Sequence, residues 1–244
     1  MTRHNALQSA GTLCVAIASI FITGGSLKAA DLRGPGYVAP ADTEEVYRPS
    51  APIWQGLYWG LSGGYGWGNS EQTYDRNNNH GLASTDPEGA LGAFTIGYNF
   101  APAPGLLIGA EADLGIMDIS ADAKEVYDGH IYKTQFGTFW GTLRARAGVL
   151  FGRALIYGTG GIAFMETDEV SIGNTPGETA INDDLRSGWV VGGGLEYALM
   201  PGVTSKIEYL HMDFGTYEGL SDNREDFTFK NDVDLVRAGL NFKF

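Results

Sequence analysis

Cysteine is almost missing from this chain. The single one, Cys14, lies inside the apolar run Ala10 to Ile22, AGTLCVAIASIFI. If that run is an export signal, the mature chain has no thiol for a disulfide or for thiol catalysis. Leu13 precedes Cys14 and apolar residues follow it, so it does not sit where a lipid-modified cysteine would. Histidine is also scarce. Beyond His4 there are only His80, His130 and His211, too scattered to gather around a metal. Basic residues are few, at 16 Lys and Arg against 29 Asp and Glu, a net charge of −13. That deficit excludes a nucleic-acid partner, which needs a basic surface. It also excludes simple attraction to anionic headgroups. Long apolar runs are lacking as well. Ala10 to Ile22 is shorter than the about 20 residues of a transmembrane helix.

The N-terminus has the order of a signal peptide: basic Arg3 and His4, the apolar run, then small Ala29 and Ala30 as a cleavage site. Residues 1–30 are assigned to it. Removing them takes away Arg3 and Lys28 and no acids, which leaves 14 basic against 29 acidic residues, or −15. Residues 31–53 hold Pro35, Pro40, Pro49 and Pro52 without periodicity, and read as an extended periplasmic linker. Residues 54–244 are the barrel domain.

What is abundant is glycine, 36 of 244 residues and about twice the usual share, and aromatic residues at 12%. Together with alternating patterns they indicate an all-β fold. The stretch from Phe139 to Met165 sets the reading. Phe139, Leu143, Ala145, Ala147 and Val149 share one face of a strand, and Thr142, Arg144 and Arg146 the other. A tight turn, Leu150 to Ala154, leads to a return strand whose two faces are both apolar, so its facing stays open. In Leu106 to Met117, Leu106, Ile108, Ala110, Ala112, Leu114 and Ile116 share one face while Glu111 and Asp113 lie mid-strand on the other. Mid-strand acids beside mid-strand arginines can pair inside a narrow lumen, and would be costly there if unpaired.

The same alternation gives eight strands. The others are Leu57 to Gly68, Gly89 to Phe100, Gly188 to Leu199, Val203 to Phe214 and Asp232 to Phe244. Connections alternate long and short. The long ones are Asn69–Glu88, Asp118–Gly137, Glu166–Ser187 and Thr216–Asn231. Even strand number with short turns at one end and long loops at the other describes an eight-stranded antiparallel up-and-down transmembrane β-barrel. Inward-pointing Glu111, Asp113, Arg144, Arg146, Glu196, Lys206, Glu208 and Arg237 form its lumen charge network. Trp59, Tyr65, Trp67, Tyr98, Trp189, Tyr197 and Tyr209 point outward as interfacial girdles. A soluble lipocalin-like barrel would instead crowd those aromatics inside.

Several segments resemble the small outer-membrane β-barrel proteins of alphaproteobacteria, the porin-family or opacity-like surface proteins. They are WQGLYWGLSGGYGWG, GTLRARAGVLFGRALIYGTGGIAF, GWVVGGGLEYAL, SKIEYLHMDFG and the terminal VRAGLNFKF. The resemblance implies an outer-membrane location, contact with outer-membrane lipid and lipopolysaccharide, and insertion by the barrel-assembly machinery. It also implies a C-terminal insertion signal, here Leu240, Phe242 and Phe244. Members are described as structural or surface proteins, and some as haemin-binding.

An eight-stranded barrel is just wide enough to be filled by side chains, so no general diffusion pore is expected. A narrow porin-like channel or a haemin receptor is the alternative, with His80, His130 or His211 as axial candidates. No catalytic residues and no cofactor are assigned. His211 beside Asp213 could orient a base at the rim, but no nucleophile is tied to it. Loop acids Glu166, Asp168, Glu169, Glu178, Asp183 and Asp184, with Glu218, Asp222, Glu225 and Asp226, suit divalent cations bridging to lipopolysaccharide.

Overall fold

The computed structural model describes residues 53–76, 79–126, 130–172, 179–220 and 226–244. The segments expected to be a signal peptide and, up to residue 52, a linker lie outside them. Alternation drives nine strand segments: β1 (Gly56–Arg76), β2 (Asn79–Thr85), β3 (Glu88–Ala103), β4 (Leu106–Val126), β5 (His130–Phe151), β6 (Ala154–Ile172), β7 (Thr179–Met200), β8 (Val203–Leu220) and β9 (Asp226–Lys243). All pairings are antiparallel: β2 and β3 both pair with β1, and from β3 to β9 each strand pairs with the next. β1 also pairs with β9, from Tyr58↔Lys243 to Tyr74↔Phe227, which closes the barrel.

Nine segments make eight staves. β1 meets β3 at Trp67↔Glu88 and β2 at Ser70↔Thr85 in one unbroken register. β2 is therefore the far end of the β3 stave, interrupted at Asp86 and Pro87. Proline cannot donate to the ladder, but the Pro87 carbonyl still accepts a hydrogen bond from Gly68 N at 2.8 Å.

Three short turns join β3–β4, β5–β6 and β7–β8. Each places a glycine at positive φ: Gly105 at 80°, Gly152 at 60° and Gly202 at 79°. Only glycine adopts that backbone without strain. At the other end the strands run well past the lengths read from the sequence. β1 continues to Arg76, β4 to Val126 and β8 to Leu220, so much of each expected long loop is hairpin. Strands of 16–22 residues, tilted as barrel strands are, rise about 40–55 Å against an apolar band of about 25 Å. Apolar alternation reports only the part in contact with lipid. The ladder goes on where polar residues face water.

The outward face is apolar, with Leu61, Phe94, Leu114, Leu143, Ile162 and Leu195 exposed. The open facing of the return strand is settled here. Leu155, Tyr157, Thr159, Ala163 and Met165 of β6 are buried, and Ile156, Ile162 and Phe164 point out. Both faces are apolar because the lumen itself is partly apolar, which the sequence reading did not expect. Toward the long connections the lumen is filled by a cluster that includes Leu91, Met117, Ile119, Trp140, Met165, Leu210 and Leu235. Toward the short turns it is filled by Trp54, Leu107, Leu155, Tyr157 and Ala198, with Ile53 and Leu150 against them. Trp54 precedes β1, is fully buried, and fills the lumen at this end.

A cation on the lipid face should destabilise such a barrel. Leu114→Arg is expected to lower the unfolding free energy in lipid vesicles by about 2 kcal/mol or more, read by urea titration. A soluble barrel would tolerate it.

Candidate functional site: a charged layer across the lumen

Between the two apolar clusters lies a polar layer. Its charged residues are the eight picked out from the sequence. Glu111, Asp113, Arg144, Arg146, Glu196, Lys206, Glu208 and Arg237 are all buried, and they are the buried charged residues among those described. Four carboxylates meet four cations. A narrow interior of low dielectric requires that balance, because an uncompensated charge there costs several kcal/mol.

Strand register builds the layer as two similar rows. In the first, Tyr58 of β1 stands opposite Gly97 of β3, Gly97 opposite Glu111 of β4, and Glu111 opposite Arg144 of β5. In the second, Tyr157 of β6 stands opposite Gly194 of β7, Gly194 opposite Glu208 of β8, and Glu208 opposite Arg237 of β9. Each half of the barrel thus contributes Tyr–Gly–Glu–Arg. The glycine is required by its neighbours. A Cβ at Gly97 would run into the Tyr58 ring, and one at Gly194 would lie 2.7 Å from Tyr157 Oη. Across each bare glycine a tyrosine reaches the glutamate beyond. Tyr58 Oη donates to Glu111 Oε1 at 2.6 Å, and Tyr157 Oη to Glu208 Oε1 at 2.8 Å.

The arginines tie the rows together. Arg144 bonds Glu111 at 2.9 Å and Asp113 at 2.8 Å on its own side, and Glu208 at 3.1 Å across the lumen. Arg237 bonds Glu208 through Nε at 2.8 Å and Asp113 through Nη2 at 2.9 Å. Asp113 also accepts from Thr95 at 2.6 Å and Thr142 at 2.8 Å. Arg146 sits between the halves, its guanidinium 5.0 Å from the Tyr58 ring centroid and 5.1 Å from that of Tyr157. It donates to Asn99, Glu111 and Glu196, each at 3.0 Å. Glu196 also accepts from Thr204 and from Asn241. Lys206 is the loosest member, with Nζ 3.8 Å from Glu111 and no hydrogen bond. The arrangement is matched in charge and shut off from solvent, which suits cross-bracing rather than substrate binding.

Several of these partners were missed from sequence. Tyr58 lies one residue beyond the strand start taken for β1's inward set, on the same phase as Gly60 and Ser62. Tyr157 and Thr159 alternate inward on β6, but an apolar neighbourhood hid them. His211, which the sequence sets beside Asp213 as a candidate to orient a base, meets Asp234 instead. His211 Nδ1 lies 2.8 Å from Asp234 Oδ1, and Tyr209 Oη donates to the same oxygen at 2.5 Å. His211 and Asp234 are direct cross-strand partners, and such partners are closer than residues two apart on one strand. The side chains of His80 and His130, like the acids Glu178, Asp222 and Glu225, lie outside what the structure describes.

Tyr65, Trp67, Tyr98, Trp189, Tyr197 and Tyr209 face outward and are exposed. Trp59 faces outward too, and its ring stacks on Phe242 at 4.7 Å. Leu240 is exposed and Phe244, at the chain end, is 84% exposed.

An apolar outer wall, a plugged interior and eight closed staves define an outer-membrane β-barrel. The family model "Outer membrane protein beta-barrel domain" matches residues 47–244, and the chain belongs to that family. The "31 kDa outer-membrane immunogenic protein" of Brucella melitensis is 30% identical over 82% of this chain and 90% of its own. The "22 kDa outer membrane protein" of Rhizobium leguminosarum bv. viciae is 27% identical over 80% of each. These are the alphaproteobacterial relatives the sequence resembles, and they place the protein in the outer membrane. Their names are those of membrane proteins, not of enzymes. The crystal structure of OprG from Pseudomonas aeruginosa shares the fold, with a TM-score of 0.51 at 13% identity over 79% of this chain and 98% of that one.

Removing one carboxylate should be far worse than removing a matched pair. Glu208→Gln, which leaves Arg144 and Arg237 undercompensated, is expected to cost about 3–5 kcal/mol of stability in lipid. Glu208→Gln combined with Arg237→Met should recover part of that loss in the same urea titration.

Proposed function

We propose that this protein is a structural and surface-display component of the outer membrane, without catalytic activity and with a lumen closed to solutes. One observation carries the reading. The eight lumen charges are buried and paired, and an apolar layer lies on either side of them. Water has no continuous polar wall to follow, and an interior of eight staves has no width to spare.

The short turns and both ends of the barrel chain face the periplasm, and the long hairpins face outside. The word "immunogenic" in a relative's name is consistent with hairpins accessible at the cell surface. Acids on those hairpins, Glu166 and Glu218 among them, would meet lipopolysaccharide phosphates through divalent cations. Insertion would use the barrel-assembly machinery, with Leu240, Phe242 and Phe244 as the signal. For haemin ligation at His211 only Nε2 remains, because Nδ1 is engaged by Asp234. A narrow channel along the charged layer is favoured by one feature, the Lys206 ammonium that makes no hydrogen bond and could exchange partners.

Conductance of the refolded barrel in a planar bilayer separates these readings. The expected outcome is a heat-shifted gel band with no steady conductance. Steady single-channel currents abolished by Lys206→Met would replace the closed barrel with the channel.

A further inference from the structure

The two apolar clusters that seal the charged layer are built differently. Toward the long connections every member of the cluster is a strand residue. Met165 and Leu210, for example, are paired to a neighbouring strand on both sides. Toward the short turns one member, Trp54, precedes β1 and belongs to no strand. It packs in one cluster with Leu107 of β4, Leu155 and Tyr157 of β6 and Ala198 of β7. Among the eight staves β6 stands opposite β1, so this cluster reaches across the barrel mouth from the side on which the chain enters.

Gly56 turns the chain into that position. Its φ is 101°, in the region that glycine alone enters without strain. A Cβ there would meet nothing within 4 Å. Packing leaves the position free, unlike at Gly97 and Gly194, and the change of direction between Trp54 and β1 is what demands glycine. Open space around a residue with a free φ is what a hinge needs. Gly56 can rotate without displacing a neighbour.

Two further features set how firmly the indole is seated. Lys243 Nζ of β9 donates to the Gln55 carbonyl at 3.2 Å, which ties the segment to the closing stave. Trp54 Nε1 is buried and, among the described residues, finds no hydrogen-bond partner. A buried N–H without an acceptor has lost its hydration. Withdrawal restores it, and so offsets part of the apolar burial that withdrawal gives up. Next to the indole cluster stands Arg146, its guanidinium 5.1 Å from the Tyr157 ring centroid. Water admitted at this end would reach the charged layer and stop there, because the outer cluster does not contain Trp54.

We propose that Trp54 is a hinged stopper, which swings out about Gly56 as the Lys243–Gln55 bond releases and opens the short-turn half of the lumen to water as far as the charged layer. The outer half stays shut. The barrel is then a dead-end chamber that opens toward the periplasm, an assignment of sides that rests on the closed-barrel reading proposed above.

The test exploits the lack of any cysteine after Cys14. Ala198→Cys places one thiol in the Trp54 cluster, and Met165→Cys one in the outer cluster. Each chain from Asp31 onward is folded in lipid nanodiscs, with both ends in water, and its labelling by a charged methanethiosulfonate is followed by mass. Ala198→Cys should label slowly, in proportion to the opened population. Trp54→Ala should speed this by about ten- to hundredfold, the effect of removing one large buried side chain. Lys243→Met should speed it by about two- to tenfold, the worth of one hydrogen bond. Met165→Cys should stay unlabelled in every background. The heat-shifted band checks folding. Leu155→Cys replaces Ala198→Cys if that variant does not fold, and Lys243→Met carries the comparison if Trp54→Ala does not. Complete protection of Ala198→Cys while Trp54 is present would overturn the proposal, since the plug would then be fixed. So would labelling that Trp54→Ala leaves no faster, or labelling of Met165→Cys, which would remove the dead end. Steady conductance of the wild type strikes instead at the closed-barrel reading, and leaves the ratio of the Ala198→Cys rates with and without Trp54 as the measure of the stopper.

Discussion

Everything inside this barrel follows from closure. Eight staves leave an interior only as wide as the side chains that line it. A carboxylate placed there cannot be hydrated, so it must meet a cation and further donors. Glu111 does so with Arg144, Arg146 and the Tyr58 hydroxyl, and Glu208 with Arg144, Arg237 and the Tyr157 hydroxyl. Because the arginines bond across the lumen as well as to adjacent staves, the layer braces opposite walls. That brace depends on β1 reaching β9, since Arg237 on the last stave completes the shell of Asp113 on the third.

The two Tyr–Gly–Glu–Arg rows show how register performs this. Large and absent side chains alternate around the wall, so a tyrosine can extend over a glycine to the next stave. Arg146 lies where the rows meet, its cation between two aromatic faces, a contact strengthened when desolvated. The apolar clusters on either side exclude water and so strengthen every ion pair between them. Plug and brace are one device.

The outside obeys a different solvent. Lipid asks only for apolar surface, and most of the wall supplies it with large side chains. Where Gly92 and Gly141 supply none, the wall is concave. Outward-facing carboxylates begin where the long hairpins leave the bilayer, and His211 and Tyr209 share Asp234 near that boundary.

Period-2 alternation made the stave count, the closed antiparallel order and the inward phase of the eight charges legible in the sequence alone. The tight turns were equally legible, because glycine and proline mark them. Strand ends were not, since apolar alternation stops at the lipid boundary while backbone pairing continues into water. The inward tyrosines were not legible either, because an aromatic side chain suits lumen and lipid alike until the phase of its strand is fixed. The facing of β6 failed for the same reason, with both faces apolar. Partners were beyond the sequence altogether. Which carboxylate Arg144 or His211 meets depends on register between staves and on reach across a lumen, and single-strand alternation carries neither. The sequence by itself determined a charged lumen in an outer-membrane barrel. The tertiary structure decided that those charges are matched, cross-braced and sealed between apolar layers, because only closure brings β1, β5 and β9 around one narrow interior.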